Sequence, residues 1–291
     1  VLSPIKNNTA RILLFLFLLS LFPFALRLFQ KPENDIATNE MFNKGLSRLN
    51  TSEKMLAYVD SSYASAYGSK QDTATYVLML SKLVKERFVH GTLNYSFSDN
   101  WIAWVCGKLF WSHFSSMVLT EDILKHTRGL CSQQTMVFMN LLKKKGINAR
   151  SVGLGYKEGP GHFLCEVSYN GAWHLHDVTV EPAWSKIKNH HFDLDYYLGN
   201  LDSLYLAYES RLPRSIFYKI MEKHEYGAVN QIPAGHMRLF QYVTETLTYI
   251  FPVVFLLLFL YYYKKQSAVK KAESKTEDQE VTYTARQVHA N

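Results

Sequence analysis

The chain has 291 residues, 47% of them hydrophobic and 14% aromatic, and a formal net charge of +7 with histidine neutral. Residues 1–31 hold four basic and no acidic side chains and residues 264–291 hold six basic and four acidic, leaving 22 basic against 21 acidic in between. The basicity therefore belongs to the two ends, and nothing points to a nucleic-acid partner, which would require a basic domain face; the length allows one or two domains.

Residues 12–26 (ILLFLFLLSLFPFAL) carry no charge, and Leu28-Phe29 can extend them toward the ~20 residues that span a bilayer. Lys6 and Arg11 give this stretch a basic start, but Phe24-Ala25-Leu26-Arg27 is no small-x-small cleavage site, so an uncleaved anchor over 12–29 is expected. Residues 30–51 read as a polar tether with a short helix at 40–49. Helical periodicity follows over 52–67 (Met55, Leu56, Val59, Tyr63) and 71–88 (Tyr76, Val77, Leu80, Leu83, Val84). The aromatic-rich segment 95–111 reads as core or as packing against a membrane surface. Thr120 begins a short helix as its cap, and the chain then enters Arg128-Gly129-Leu130-Cys131.

Cys131 sits at the start of a helix over 132–145, with apolar Met136, Val137, Met139, Leu141 and Leu142 at helical spacing, lysines 143–145 in the last turn and Gly146 as the stop. Unpaired backbone N–H groups and the positive dipole end at that position favour a thiolate. A strand is expected over 149–154, a Gly/Pro loop over 155–161, and then two alternating runs, 162–169 and 172–179, joined by Asn170-Gly171, the sequence signal for a tight hairpin. A two-residue turn pairs Tyr169 with Ala172, Leu164 with Asp177 and His162 with Thr179. His162 and Asp177 then share a face as diagonal neighbours, about 7–8 Å apart at the backbone; a slip of one residue would separate them. A carboxylate in that place can orient an imidazole and stabilise its charged form.

The other candidates are weaker. His126 is close to Cys131 in sequence but is less well placed than His162. Cys106 and Cys165 could pair in an oxidising compartment and leave Cys131 free, although two buried thiols is the simpler account. His174 and His176 share a strand face from which Asp177 points away, and they, like His190-His191 near Asp193 and Asp195, read as surface histidines rather than metal ligands. Residues 193–225 are amphipathic, with a break at Pro213 and helix resuming at Ser215. Residues 235–238 are expected beside the membrane. The uncharged stretch 246–263 ends in tyrosines followed by Lys264-Lys265, the signature of a membrane interface. The charged tail beyond Gln266 reads as disordered.

Gly129-Leu130-Cys131, Gly146-Ile147-Asn148-Ala149-Arg150, His162 with Glu166-Val167, and Trp173 with Asp177-Val178-Thr179 together resemble the core of the transglutaminase-like superfamily, closely over 120–182 and loosely before it. One departure is His162-Phe163-Leu164, where that family often has an aromatic in a His-Ala-Trp-like run. The resemblance implies an α+β fold of papain-like type, with a helical N-terminal half, a nucleophile helix and a small antiparallel sheet. It also implies Cys131 as nucleophile, His162 as base and Asp177 as orienting acid, in acyl transfer at an amide or peptide carbonyl.

No cofactor and no metal are called for, and hydrolysis is preferred to cross-linking because no calcium loop is recognisable. The expected organisation is a cytoplasmic N-terminus (1–11), a membrane helix (12–29), an extracytoplasmic domain (30–245), a second membrane helix (246–263) and a cytoplasmic tail (264–291). That places both termini in the cytoplasm and the domain outside, periplasmic in a bacterium. The expected partners are the bilayer and a protein or peptide substrate. The rival reading is a membrane-tethered binding or assembly factor in envelope or polysaccharide biogenesis with little or no turnover.

Overall fold

Two long apolar helices carry the ends of the chain, and a mixed helix-and-sheet unit lies between them in sequence. The computed structural model describes residues 5–29, 42–68, 72–155, 161–180, 182–183, 192–209 and 212–288. In chain order the elements are α1 (Ile5–Arg27), α2 (Ser52–Tyr67), α3 (Thr73–Arg87), β1 (Val89–His90), α4 (Trp101–Leu109), α5 (Thr120–Ile123), β2 (Arg128–Gly129), α6 (Cys131–Lys144), β3 (Ala149–Leu154), β4 (His162–Tyr169), β5 (Ala172–His176), α7 (Leu194–Leu198), α8 (Leu201–Ala207), α9 (Arg214–Met221), β6 (His224–Tyr226) and α10 (Gly235–Val288). The chain divides into two compact units, one of residues 1–30, 95–110 and 242–291 and the other of 31–94 and 111–241.

Among the described residues two helices are long and apolar enough to cross a membrane, α1 over Asn8–Arg27 and α10 over Gly235–Thr276, and the first unit holds α1 and α10 from Tyr242 on. Arg27, at the end of α1, donates to the carbonyls of Ser98 (2.6 Å) and Asp99 (2.9 Å) and to Tyr249 Oη (3.2 Å). Its guanidinium also lies over the rings of Phe24 and Tyr249. A cation beside an apolar helix is thus fully occupied where its hydration is reduced. The aromatic segment joins this unit: Asn100 caps α4 by accepting from Ala103 N (3.1 Å) and donates to Thr244 Oγ1 on α10 (2.9 Å). The tail departs from the expectation of disorder, because α10 continues as helix through Val288. Its Lys, Glu, Gln and Ala residues are good helix formers, and a helix already nucleated extends at little cost.

In the second unit a four-stranded antiparallel sheet has the order β5-β4-β3-β6. The Asn170-Gly171 turn, with both residues at positive φ, sets the register from Tyr169↔Ala172 to Cys165↔His176. One face of the sheet carries Val152, Leu154, Leu164 and Leu175 and is covered by α7–α9 through Leu194, Tyr197, Leu204, Phe217 and Met221. The other is covered by α6, where Phe138 lies 5.9 Å from the His176 ring and Thr135 Oγ1 donates to Phe163 O (3.1 Å). His176 is therefore wholly buried rather than a surface histidine, with Nε2 3.3 Å from Tyr169 Oη; His174 stacks on the Tyr169 ring at 3.8 Å. Polarity suggested exposure for both, but the helix packed on that face encloses His176, while His174 is half-buried. His190-His191 lie outside the described residues.

β1, β2 and β6 are too short to show a period. β1 and β2 pair in parallel (Val89↔Arg128, His90↔Gly129), so the run before Cys131 is held as strand rather than loop. The buried Arg87 reinforces it from below by donating to the carbonyls of Leu124 (2.9 Å) and His126 (3.0 Å). Leu119, not Thr120, is the cap of α5.

Glu166 ties the layers together. Wholly buried, it takes Arg150 Nε and Nη2 at 2.7 and 2.6 Å and accepts from Leu194 N (2.6 Å) at the start of α7, while Arg150 is held between the rings of Trp173 and Tyr226. Breaking such a pair leaves a cation and an N–H unpaired in low dielectric, at about 3–5 kcal/mol. Glu166→Leu should therefore lower the unfolding temperature of the full chain in detergent by several degrees; an unchanged transition would mean that the Arg150–Glu166 pair contributes little.

Candidate active site

The Cys131 thiol occupies the first position of α6. The turn before it is fastened by the two glutamines that follow: Gln133 Oε1 accepts from Leu130 N (2.9 Å), Gln133 Nε2 donates to the carbonyls of Leu93 and Met117 (2.8 Å each), and Gln134 Nε2 donates to Gly129 O (2.8 Å). Reaching back from the third helical position is the side-chain half of a capping box. Here it fixes the nucleophile's backbone rather than only stabilising the helix. Both glutamines are buried.

His162 opens β4. Its place depends on Gly161, where a Cβ would come within 2.8 Å of Leu154 O, so any side chain there would push the strand off its partner. His162 Nε2 is 2.5 Å from Asp177 Oδ2, and the ring also interacts with the Cys131 thiol, toward which Nδ1 is the remaining nitrogen. Asp177 follows β5 on the face shared with His162. The wholly buried carboxylate also accepts from Thr179 N and Val180 N (3.0 Å each, on Oδ1) and from Tyr208 Oη (2.8 Å, on Oδ2). The structure thus brings together Cys131, His162 and Asp177. The histidine it sets against the thiol is His162 and not His126, whose carbonyl serves Arg87.

The charges follow from this geometry. Burial opposes ionisation of all three groups, and the partners outweigh it. Burial would lift the Asp177 carboxyl, but the His162 charge, its hydrogen bond and those from Val180 N and Tyr208 bring it down to about 2. Burial would depress the His162 imidazole, but Asp177 first and Cys131 second raise it to about 10. Burial would raise the Cys131 thiol, but the hydrogen bond and charge of His162, with the N–H groups of Phe163 and Ser132, hold it below its ordinary value. The arrangement favours the charged form of each group: thiolate, imidazolium and carboxylate in a row.

Tyr208 was not legible as part of this site: it lies 31 residues beyond Asp177 on the turn ending α8. The Asp177-Val178-Thr179 turn does carry a signal, because an Asp that bonds backbone two and three residues ahead is an Asx-turn. All three cysteines are free thiols, and Cys165 is wholly buried. Among the described residues no group of three or more His, Cys, Asp or Glu is placed to hold a metal ion.

No family model and no curated protein match the chain. Among solved structures, a protein from Cytophaga hutchinsonii named as a candidate cysteine protease is similar at 12% identity and a TM-score of 0.29, over 47% of this chain and 43% of its own. This chain thus spans less than half the length of that neighbour, and a likeness of this extent carries no argument for chemistry.

The ion row has a definite pH signature. His162, raised from 6.5, contributes stability that is full below pH 6.5 and lost as pH rises through about 10. Asp177, lowered from 3.8, contributes stability that is full above pH 3.8 and lost as pH falls through about 2. Asp177→Asn should therefore cost most between those ordinary values, about 3 kcal/mol for a broken buried pair, and less at pH 10, where the part owed to the His162 charge fades and the part owed to the bonds from Thr179 N, Val180 N and Tyr208 remains. Thermal unfolding of both proteins at pH 5.5 and 10 checks this; a deficit as large at pH 10 as at pH 5.5 would contradict it.

Proposed function

We propose that this chain is a membrane-anchored thiol enzyme of transglutaminase-like, papain-like type that transfers an acyl group from an amide or peptide carbonyl. The observation that carries the reading is the Cys131 thiol at the start of α6, beside an imidazole whose Nε2 is 2.5 Å from a buried carboxylate. In this reading Cys131 Sγ attacks the carbonyl carbon. The backbone N–H of Cys131, at a helix start where such groups lack intrahelical acceptors, is an oxyanion donor. His162 gives its proton to the leaving amine as the C–N bond breaks, and a thioester remains. His162 then takes a proton from water as the water oxygen attacks the thioester; the acid departs and thiolate and imidazolium are restored. Asp177 holds the ring and its charge throughout.

Hydrolysis is preferred to amine transfer on the same ground as in the sequence: no calcium loop of the cross-linking kind is recognisable. The anchoring is two-pass, with both termini cytoplasmic and the domain outside, supported by two helices of sufficient length and by the lysines behind the second. Full-length protein in detergent, mixed with a degenerate peptide library and an amine tracer, should generate new peptide amino termini that Cys131→Ala abolishes, with hydrolysis exceeding tracer incorporation. Dominant tracer incorporation would make it a transferase. No product of either kind would leave the tethered assembly factor as the function.

A further inference from the structure

α4 is too apolar for the exposure it has. Its nine residues, WIAWVCGKL, carry a single charge, Lys108, yet only Ala103 among them is buried. Ile102, Val105, Cys106 and Leu109 recur at i, i+3, i+4 and i+7 and form one stripe along the helix, and none of the four is buried. Leu109 and Phe110, where the helix ends, are 70% and 77% exposed. A surface helix in water turns polar side chains outward, whereas one that is apolar all round lies in a core or in lipid. The exposure of α4 excludes a core.

What covers the stripe follows from where the helix is fastened. Within the first unit, Phe97 packs on Phe22 and Trp101 on Phe251, with ring centroids 6.2 Å apart in each pair. Both partners lie inside the uncharged stretches 12–26 and 246–263. Arg27, directly after the first of these, holds the carbonyls of Ser98 and Asp99, and Asn100 then caps α4. The start of α4 is thereby fixed at the level where the two apolar stretches end. Phe22, Tyr249 and Ile250 at that level are themselves 50%, 48% and 44% exposed, so the medium around them is the medium α4 meets. At 1.5 Å per residue the helix is about 14 Å long and cannot cross ~30 Å of hydrocarbon. Lys108 Nζ lies 5.9 Å from the Trp104 ring centroid, its stem along apolar surface, as in a lysine that carries its charge out to the headgroups.

We propose that α4 is an interfacial wedge whose stripe from Ile102 to Leu109, with Phe110, sits among the acyl chains of the leaflet reached by Arg27 of α1 and Thr246 of α10. The partner is the lipid surface and not another protein. The assignment rests on the membrane-anchored reading and goes beyond it, because it adds to the two spans a third contact that does not cross the bilayer. The membrane then holds an interior stretch of the sequence as well as its ends.

The test is photolabelling of the native full-length protein in phosphatidylcholine vesicles that contain a phosphatidylcholine with an aryl diazirine on the upper part of one acyl chain. Light expels N2, the carbene inserts into a neighbouring C–H bond, and peptide mapping reads the adduct at each residue. Phe22 and Ile250 are the references within the spans. Leu206, 53% exposed in the second unit, is the reference for an apolar side chain outside them. Burial of a leucine or phenylalanine side chain favours lipid over water by about tenfold or more, so Leu109 and Phe110 are expected to match Phe22 and Ile250 and to exceed Leu206 by at least about tenfold. Adduct at Leu109 and Phe110 no higher than at Leu206, with Phe22 and Ile250 well labelled, would overturn the wedge, leave the spans standing and make a protein the cover of α4. Adduct at Phe22 and Ile250 no higher than at Leu206 would overturn the anchored reading and the wedge with it.

Discussion

Everything at the site depends on one buried carboxylate. Moving an ion of that kind out of water costs several kcal/mol even after relaxation, and Asp177 is wholly enclosed. The cost is offset because four separate donors converge on its two oxygens: the His162 ring across the hairpin, two N–H groups of its own turn and the Tyr208 hydroxyl from α8. The four donors are delivered by three different pieces of the fold, so the hairpin register, the turn after β5 and the packing of α8 and α9 on the sheet are all felt at one atom pair. The raised His162 imidazole is the consequence, and the lowered Cys131 thiol follows from the His162 charge.

The scaffold follows the same logic at larger scale. α6 is held at its start by Gln133 and Gln134, and the strand that feeds it is held by Arg87. Glu166, two residues along the same strand face from Leu164, joins β3, β4 and α7 through Arg150 and Leu194. Buried polar groups with complete partners rigidify their surroundings, and here they flank the nucleophile and the base rather than the distant end of the sheet. In the other unit, Arg27 gathers the chain at residues 98–99 and Tyr249 about the end of α1. This basic residue serves a structural contact, and so is a poor guide to membrane orientation.

The parts of this structure that were legible in the sequence are those with a strong local rule. Asn170-Gly171 dictates a hairpin and its register as far as Cys165↔His176, beyond which a turn replaces the expected pairing of Leu164 with Asp177 and His162 with Thr179; Gly146, at φ +70°, ends α6; periodicity finds α2, α3 and the strand at 149–154. The parts that were not legible are those decided by distant contacts. Two-residue strands have no period, Tyr208 has no neighbour in sequence that marks it, and His176 is buried because α6 lies on its face. The helical extension of the tail was hidden for the opposite reason: its composition is highly charged, which suits a disordered segment and a helix equally well.

The central claim is that Cys131 is a thiolate at neutral pH because His162 is charged, and the pH dependence of alkylation at Cys131, read by peptide mapping on the full-length protein with His162→Ala as the comparison, tests it most directly. An unperturbed thiol titrates near 8.5. The account predicts rapid labelling of Cys131 at pH 6 that His162→Ala abolishes. Labelling of Cys131 that rises only near pH 8.5, identically in both proteins, would contradict it.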